Sequence, residues 1–208
     1  MTARGAARGE LMRKTDVLVV GGGVAGLSCA LYTSRAGLST TVLDTGMSQL
    51  KKVSELHNIP GLPKGISGED WVATARSQAE NAGAEIRQLE ATAFDLKQRP
   101  YQVFTNSLET GEKLSFASDY VVIAVNLGYP LLEDMDLGLE VNEFVPSKKI
   151  RKVKNITFEG RTTKPGVYIA GLLADIPSQT AVSSGQGTYV GVQIASEALG
   201  RAYMWHDR

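Results

Sequence analysis

Residues 16–44 read DVLVVGGGVAGLSCALYTSRAGLSTTVLD. Asp16–Val20 is a short, nearly continuous apolar run, rich in valine and ended by Gly21, Gly22 and Gly23. A parallel strand buried on both faces reads this way when a tight turn follows it. From Val24 to Ala36 the residues are small or apolar, with Leu27, Ala30, Leu31 and Ser34 at helical spacing, and Gly37 supplies the stop. Thr40–Asp44 is a second, β-branched strand. Together these segments predict a βαβ unit of about 30 residues.

Within it, Gly21, Gly23 and Gly26 occupy the three positions of GxGxxG, between a predicted strand and a predicted helix, and Asp44 ends the next strand. That context is what makes the motif specific for a dinucleotide. Gly21 permits the tight turn, Gly23 lets the backbone approach a pyrophosphate, and Gly26 lets the helix pack close to the strand. The helix N-terminus then offers free N–H groups to the diphosphate. Asp44 is suited to accept hydrogen bonds from adenosine ribose hydroxyls and would repel a 2′-phosphate, which argues against NADP at this position. The unit alone leaves FAD and NAD both open.

Outward from this unit, Ser67 to Gly83 reads as a helix with Ser67 as N-cap and Glu69 and Asp70 in its first turn. Short strands are expected around Glu85–Leu89, Ala91–Leu96, Gln102–Thr105 and Lys113–Phe116, the last two joined by a turn at Glu109–Glu112. Tyr120–Val125 and Val167–Ala170 read as further buried strands, and Gly185–Leu199 as a final helix entered through Gly185 and Gly187. The fold class expected is α/β: a Rossmann-like FAD/NAD(P)-binding domain with a central parallel sheet, flanking helices and a small antiparallel β-meander. Residues 1–13 are expected to be a disordered arm, 14–203 a single domain with 127–159 as a short connector (127–165 being the least regular part), and 204–208 a tail.

Lys plus Arg and Asp plus Glu both number 22, so the net charge is zero and gives no electrostatic reason to expect nucleic acid or an anionic membrane. No apolar run reaches the roughly 18 residues of a membrane span, and the first 14 residues lack the apolar core of a secretory signal. The one cysteine, Cys29, rules out an internal disulfide or a CxxC redox pair and reads as a buried, inert thiol. His57 reads as a residue that bonds within its own loop, and Trp71 as core or dimer interface. The basic run Lys148, Lys149, Arg151, Lys152 and Lys154 reads as a solvated connector, or else as a dock for an acidic partner or a phosphate. Nothing in the spacing of His, Cys, Asp and Glu suggests a metal site, and no catalytic residue is identified.

Beyond the glycine motif the sequence resembles the FAD domain of low-molecular-weight thioredoxin reductases, of the pyridine nucleotide-disulfide oxidoreductase family. The similarity runs through Glu55–Gly61 (ELHNIPG), Gly65–Gly68 (GISG), Phe94–Val103 (FDLKQRPYQV), Thr163–Gly171 (TKPGVYIAG), Gln179 and the glycine-led helix after it. The resemblance implies FAD as cofactor. Gly21, Gly23, Gly26 and Asp44 would hold its ADP half, with Val24, Ala25 and Thr45 beside them and Ala91 at the adenine. Asn58 and Gln179 would lie near the isoalloxazine, Gly171 along the diphosphate–ribityl portion, and Ala124 and Thr180 would complete the site.

The departures carry information too. Only residues 127–159 stand where that family inserts an NADPH domain and its CxxC. The family's A-T-G appears as Ala124-Val125-Asn126, and its A-G-D as Ala170-Gly171-Leu172, so leucine replaces the aspartate that would bond the ribityl chain. The expected function is therefore an FAD-binding oxidoreductase that is not a self-contained thioredoxin reductase, with electrons from a redox partner protein or from NAD(P)H docking at the flavin. A non-catalytic FAD-binding sensor or subunit of a redox complex is the alternative, and an NAD-binding enzyme a third. A cytoplasmic homodimer is expected.

Overall fold

The structure is a computed structural model that describes residues 12–126, 130–141 and 151–206. Most of the expected N-terminal arm and residues 127–129 and 142–150, with Lys148 and Lys149 among them, lie outside the described residues.

The chain runs β1 (Met12–Val20), α1 (Val24–Arg35), β2 (Thr40–Leu43), α2 (Gly68–Asn81), β3 (Glu85–Arg87), β4 (Leu89–Asp95), β5 (Tyr101–Ser107), β6 (Lys113–Ile123), β7 (Leu139–Val141), β8 (Arg151–Val153), β9 (Val167–Ile169) and α3 (Thr180–Leu199). One sheet has the order β3-β2-β1-β6-β5-β4, with β9 also paired to β6; β7 and β8 form a second, two-stranded sheet. β3, β2, β1, β6 and β9 are mutually parallel, while β4, β5 and β6 are antiparallel.

The apolar runs are continuous because both faces of the parallel strands are covered. Val17, Val19, Tyr120, Val122, Tyr168 and Ala170 share a cluster with Ala25, Cys29 and Ala30 of α1 and Val190 and Ile194 of α3. Their neighbours Leu18, Val20, Val121, Ile123, Val167 and Ile169 point the other way, into a cluster with Val103 and Phe116 of the meander and Leu132, Met135, Leu137 and Val153 of the connector. The period of two along each strand sorts the side chains between these layers.

The α/β class is as expected, with a parallel centre, flanking helices and antiparallel strands, and several details differ. The segments around Lys113–Phe116 and Tyr120–Val125 are one eleven-residue strand, β6. β1 pairs along it from Met12↔Ser115 to Val20↔Ile123, while its other edge takes β5 first and then β9. The meander is therefore an extension of the central sheet, and β3 belongs to the parallel part of that sheet. Apolar residues of the connector, Leu132, Met135, Leu137 and Val153, close one face of the core. Lys152 is not a solvated residue of a basic run: its ammonium pairs with Asp175 and lies 3.6 Å from Glu140. Finally, α3 starts at Thr180, five residues before Gly185, so Gly185 and Gly187 lie inside the helix.

That last difference has a packing cause. A Cβ at Gly187 would overlap the carbonyl of Ala25, and one at Gly191 would come within 2.8 Å of the Cys29 carbonyl. Gly187 and Gly191, one helical turn apart, form a groove that receives the backbone of α1. Their glycine identity serves helix contact; it does not mark a helix entry.

Candidate functional site

β1 has β2 on one side and β6 on the other, and the cleft opens beyond the carboxyl ends of these strands, the position where doubly wound sheets bind ligands. Its volume is about 710 Å³, and Gly21–Ala25, Asp44, Ala91, Ala124, Gly171, Thr180 and Ser183 are among its walls.

The turn after β1 is shaped by three different constraints. Gly21 has φ +114, and a Cβ there would overlap the Ala124 carbonyl oxygen; its N–H bonds Leu43 O at 2.9 Å. Gly22, which the motif leaves unspecified, has no room for a Cβ because the Asp44 carboxyl group lies against it. Gly26 sits against the carbonyl of Gly21, which is the close helix–strand approach expected of it. Gly23 differs from all three: the nearest atom to a Cβ there is Ser48 Oγ at 3.7 Å. The space above Gly23 is cleft.

α1 starts here with no capping side chain and no acidic residue in its first turn, so among the described residues its leading N–H groups have no capping partner on the cleft side. α3 also begins at the cleft, uncapped and without a first-turn acid. α2 shows the contrast: Ser67 Oγ accepts from Asp70 N–H at 3.0 Å and the Asp70 carboxylate accepts from Ser67 N–H at 3.4 Å, a capping box. The helix start away from the cleft is capped, and the two starts lining it are left open to an anion or a polar ligand.

Asp44 is buried, with 8% of its surface exposed. Its Oδ1 accepts from Gly46 N–H at 2.8 Å, and its Oδ2 lies 3.4 Å from Arg76 Nη1 of α2. Arg76 also bonds Glu80 Oε1 at 3.1 Å, so the carboxylate is held from two sides. On the far wall Gly171, at φ +78, begins a short 3₁₀ helix, Gly171–Ala174, that carries Leu172 into the cleft lining. The fully buried Gln186 fixes this turn: its Oε1 accepts from Gly171 N–H at 2.8 Å, and its Nε2 donates to Ile169 O at 3.2 Å.

Of the residues expected at the site, Gly21, Gly23, Val24, Ala25, Asp44, Thr45, Ala91, Ala124, Gly171 and Thr180 line this cleft together, and Gly26 lies just beneath it. Asn58 and Gln179 are exposed and outside the lining. The 55–66 loop rests on Leu56, anchored by Leu56 N–H to Ile66 O at 2.8 Å, and its polar side chains turn to water. His57 among them lies 3.2 Å from Glu55, within its own loop. Sequence reasoning missed Gly22, Met47, Leu50, Arg76, Leu108 and Ser183. Only Gly22 carried a signal, as the third glycine of the run; the others enter from loops and helix turns that no local pattern marks.

Asp44 and Glu90 are the cleft's ionisable side chains among the described residues, and no cluster of His, Cys, Asp and Glu there could hold a metal. Cys29 is fully buried in α1, and burial pushes its thiol up to about 12. At pH 8 the thiolate fraction is then about one in ten thousand. The native protein is expected to stay unlabelled by an aromatic disulfide reagent at pH 8 and to release about one thiol equivalent once denaturant is added; prompt labelling of the folded chain would contradict the burial.

A family model described as pyridine nucleotide-disulphide oxidoreductase matches residues 15–129. The sequence is 38% identical over 112 residues to a thioredoxin reductase of Rickettsia typhi, a match covering 52% of this chain and 34% of that protein. It is 38% identical over 108 residues to a thioredoxin reductase of Spironucleus barkhanus, covering 49% and 35%. The chain thus spans about a third of the length of these curated relatives. Among solved structures, a thioredoxin reductase from Gloeobacter violaceus superposes with a TM-score of 0.72 at 19% identity, over 94% of this chain and 99% of that one. An oxidoreductase from Agrobacterium tumefaciens gives 0.73 at 13% identity, over 90% and 99%. Likeness at such identities is a likeness of fold. Among the described residues no helix is long and apolar enough to cross a membrane.

Proposed function

Since the chain belongs to the pyridine nucleotide-disulphide oxidoreductase family, we propose that residues 14–203 are an FAD-binding oxidoreductase domain whose electrons come from a separate partner protein or from NAD(P)H docking directly at the flavin. The observation that carries this reading is the convergence of two uncapped helix N-termini on one cleft of about 710 Å³, with a buried carboxylate at one end.

The residues present fit the cofactor. Gly23 leaves space where a Cβ would stand, and the first-turn N–H groups of Val24 and Ala25 are placed for a diphosphate. Asp44, oriented by Gly46 N–H and Arg76, presents carboxylate oxygens to ribose hydroxyls. Ala91 and Leu108 offer apolar contact at the adenine end, and Gly171, held by Gln186, lies along the cleft's far wall. Bound flavin supplies hydride or electron acceptance, and the protein supplies binding and orientation. Residues 127–159 are too few for a second Rossmann unit, and one buried cysteine cannot form a dithiol, so internal thioredoxin reduction is not part of the proposal.

Asp44→Ala is expected to weaken FAD and ADP alike, by about tenfold or more, because a charge-assisted hydrogen bond is worth roughly 1.5–3 kcal/mol and both ligands carry the ribose. Calorimetric titration with each ligand measures this; loss of FAD affinity alone would move Asp44 away from the ribose.

The cleft's small set of ionisable groups also favours a second reading, a non-catalytic FAD-binding sensor or subunit of a redox complex. Visible absorption of the purified protein, with release and chromatographic identification of the chromophore, tests both readings. A protein that stays colourless after incubation with FAD would end both. Anaerobic mixing with NADH and NADPH then separates them, since bleaching of the flavin band supports the oxidoreductase.

A further inference from the structure

The Asp44 carboxylate is fixed from the cleft side and from behind. A Cβ at Gly22 would overlap the Asp44 side chain, and Asp44 Oδ1 accepts from Gly46 N–H at 2.8 Å. Its Oδ2 lies 3.4 Å from Nη1 of Arg76, which reaches it from α2. The same guanidinium donates through Nε to Glu80 Oε1 at 3.1 Å and through Nη2 to Ile86 O at 3.5 Å. Neither of those contacts involves Asp44, so Arg76 keeps its place whether or not the Asp44 carboxylate is there.

Asp44 lines the cleft and Arg76 does not. The carboxylate therefore stands as a screen between the cleft and the guanidinium. Among the described residues the cleft wall itself carries no Lys or Arg, so the nearest cation to this end of the cleft is the one behind Asp44. A phosphate on the 2′-oxygen of a ribose bound at Asp44 meets a negative charge first and an arginine directly beyond it. The planar, permanently charged fork of arginine matches phosphate oxygens better than any other side chain.

We infer that Arg76 is a specificity-determining residue of the adenosine end: Asp44 admits a plain ribose and masks a guanidinium that is placed to take a 2′-phosphate. The inference rests on the reading of Asp44 as the ribose ligand of a dinucleotide cleft. Its two halves act in opposite directions. Removing Arg76 leaves a bare carboxylate and sharpens the rejection of a 2′-phosphate. Removing the carboxylate uncovers the guanidinium and reverses the preference.

The test measures dissociation constants for ADP-ribose and 2′-phospho-ADP-ribose, which differ only in that phosphate, in wild type, Arg76→Ala, Asp44→Ala and the double variant, with FAD titrated into wild type alongside. Wild type is expected to prefer ADP-ribose by about tenfold or more, and Arg76→Ala to widen that preference severalfold. Asp44→Ala is expected to prefer the 2′-phosphorylated ligand by about tenfold, a preference that shrinks as salt is raised. The double variant should bind the two about equally. An Asp44→Ala protein that gains no affinity for the 2′-phosphate, or a double variant that gains as much, would overturn the inference. So would an unchanged or narrowed preference in Arg76→Ala, a partly exposed position that tests the inference however Asp44→Ala folds. In each of these cases wild-type FAD binding, and so the flavin reading, stands. A wild-type chain that binds neither FAD nor ADP-ribose would overturn the dinucleotide reading and this inference with it.

Discussion

Gly23→Val is expected to give a folded protein that no longer takes up FAD. Gly23 is the N-cap of α1 with φ −90 and ψ −166, an extended conformation open to any residue, so valine adds no backbone strain. A Cβ there meets only Ser48 Oγ, 3.7 Å away, so the side chain grows into open cleft. It would stand where a diphosphate must come to reach the first-turn N–H groups of α1. Affinity should fall by at least about a hundredfold, or about 2.7 kcal/mol, while the ligand-free protein melts at the wild-type temperature. Flavin fluorescence titration and thermal unfolding read the two halves separately. Wild-type FAD affinity in this variant would show that the diphosphate does not lie on this turn.

Gly187→Val is expected to do the reverse, damaging the fold before any ligand is considered. The added Cβ would overlap backbone atoms of Ala25, and backbone cannot swing aside as a flexible side chain can. α1 and α3 must separate, opening a layer that includes Val17, Val19, Cys29, Val190 and Ile194. Overpacking typically costs about 1–3 kcal/mol, and with backbone on both sides the upper end or beyond is expected. Gly185→Ala is the internal control: nothing lies within 4 Å of a Cβ there, and replacing a mid-helix glycine should stabilise by about 0.5–1 kcal/mol. Denaturant unfolding of the two variants should therefore give opposite shifts from positions two residues apart. Stabilisation by both would show that these glycines act through helix propensity alone.

The glycine turn was legible because its requirements are local. A strand, a tight turn and a helix start within a few residues leave their marks in order along the chain, and Gly21, Gly23 and Gly26 each meet a neighbour, or an empty space, that the motif anticipates. The Ser67 cap of α2 was legible for the same reason, since a capping box is contained in four residues. The start of α3 was not. Gly185 and Gly187 carry the composition of a helix entry, but Gly187 is required by its contact with α1, more than a hundred and fifty residues earlier in the chain, and Gly185 simply lies inside the helix. The continuity of β6 was hidden too, because Ser115, Ser118 and Asp119 interrupt its apolar pattern. Ser118 is nonetheless buried, its hydroxyl donating to Asp16 O at 3.0 Å and Tyr120 O at 2.8 Å.

The connector shows the same division. Its lysines and arginine read as a solvated run, yet Lys152 folds onto Asp175 and Glu140, and Val153 beside it enters the core. Charge density along a sequence reports composition; which member of the run finds a carboxylate depends on what the fold brings opposite it.

By itself, then, the sequence determined the α/β class, the βαβ unit with its glycine turn, and the acid that ends the second strand, because hydrophobic periodicity and turn chemistry act over a few residues. Only the tertiary structure decided that Asp44 is steadied by Arg76, that Gln186 holds Gly171, that Asn58 and Gln179 stand outside the cleft, and that Ser183 lines it beside Thr180. Those facts depend on contacts between residues far apart in the chain, whose distances are set by how α1, α2 and α3 pack on one sheet and not by any spacing that can be read along it.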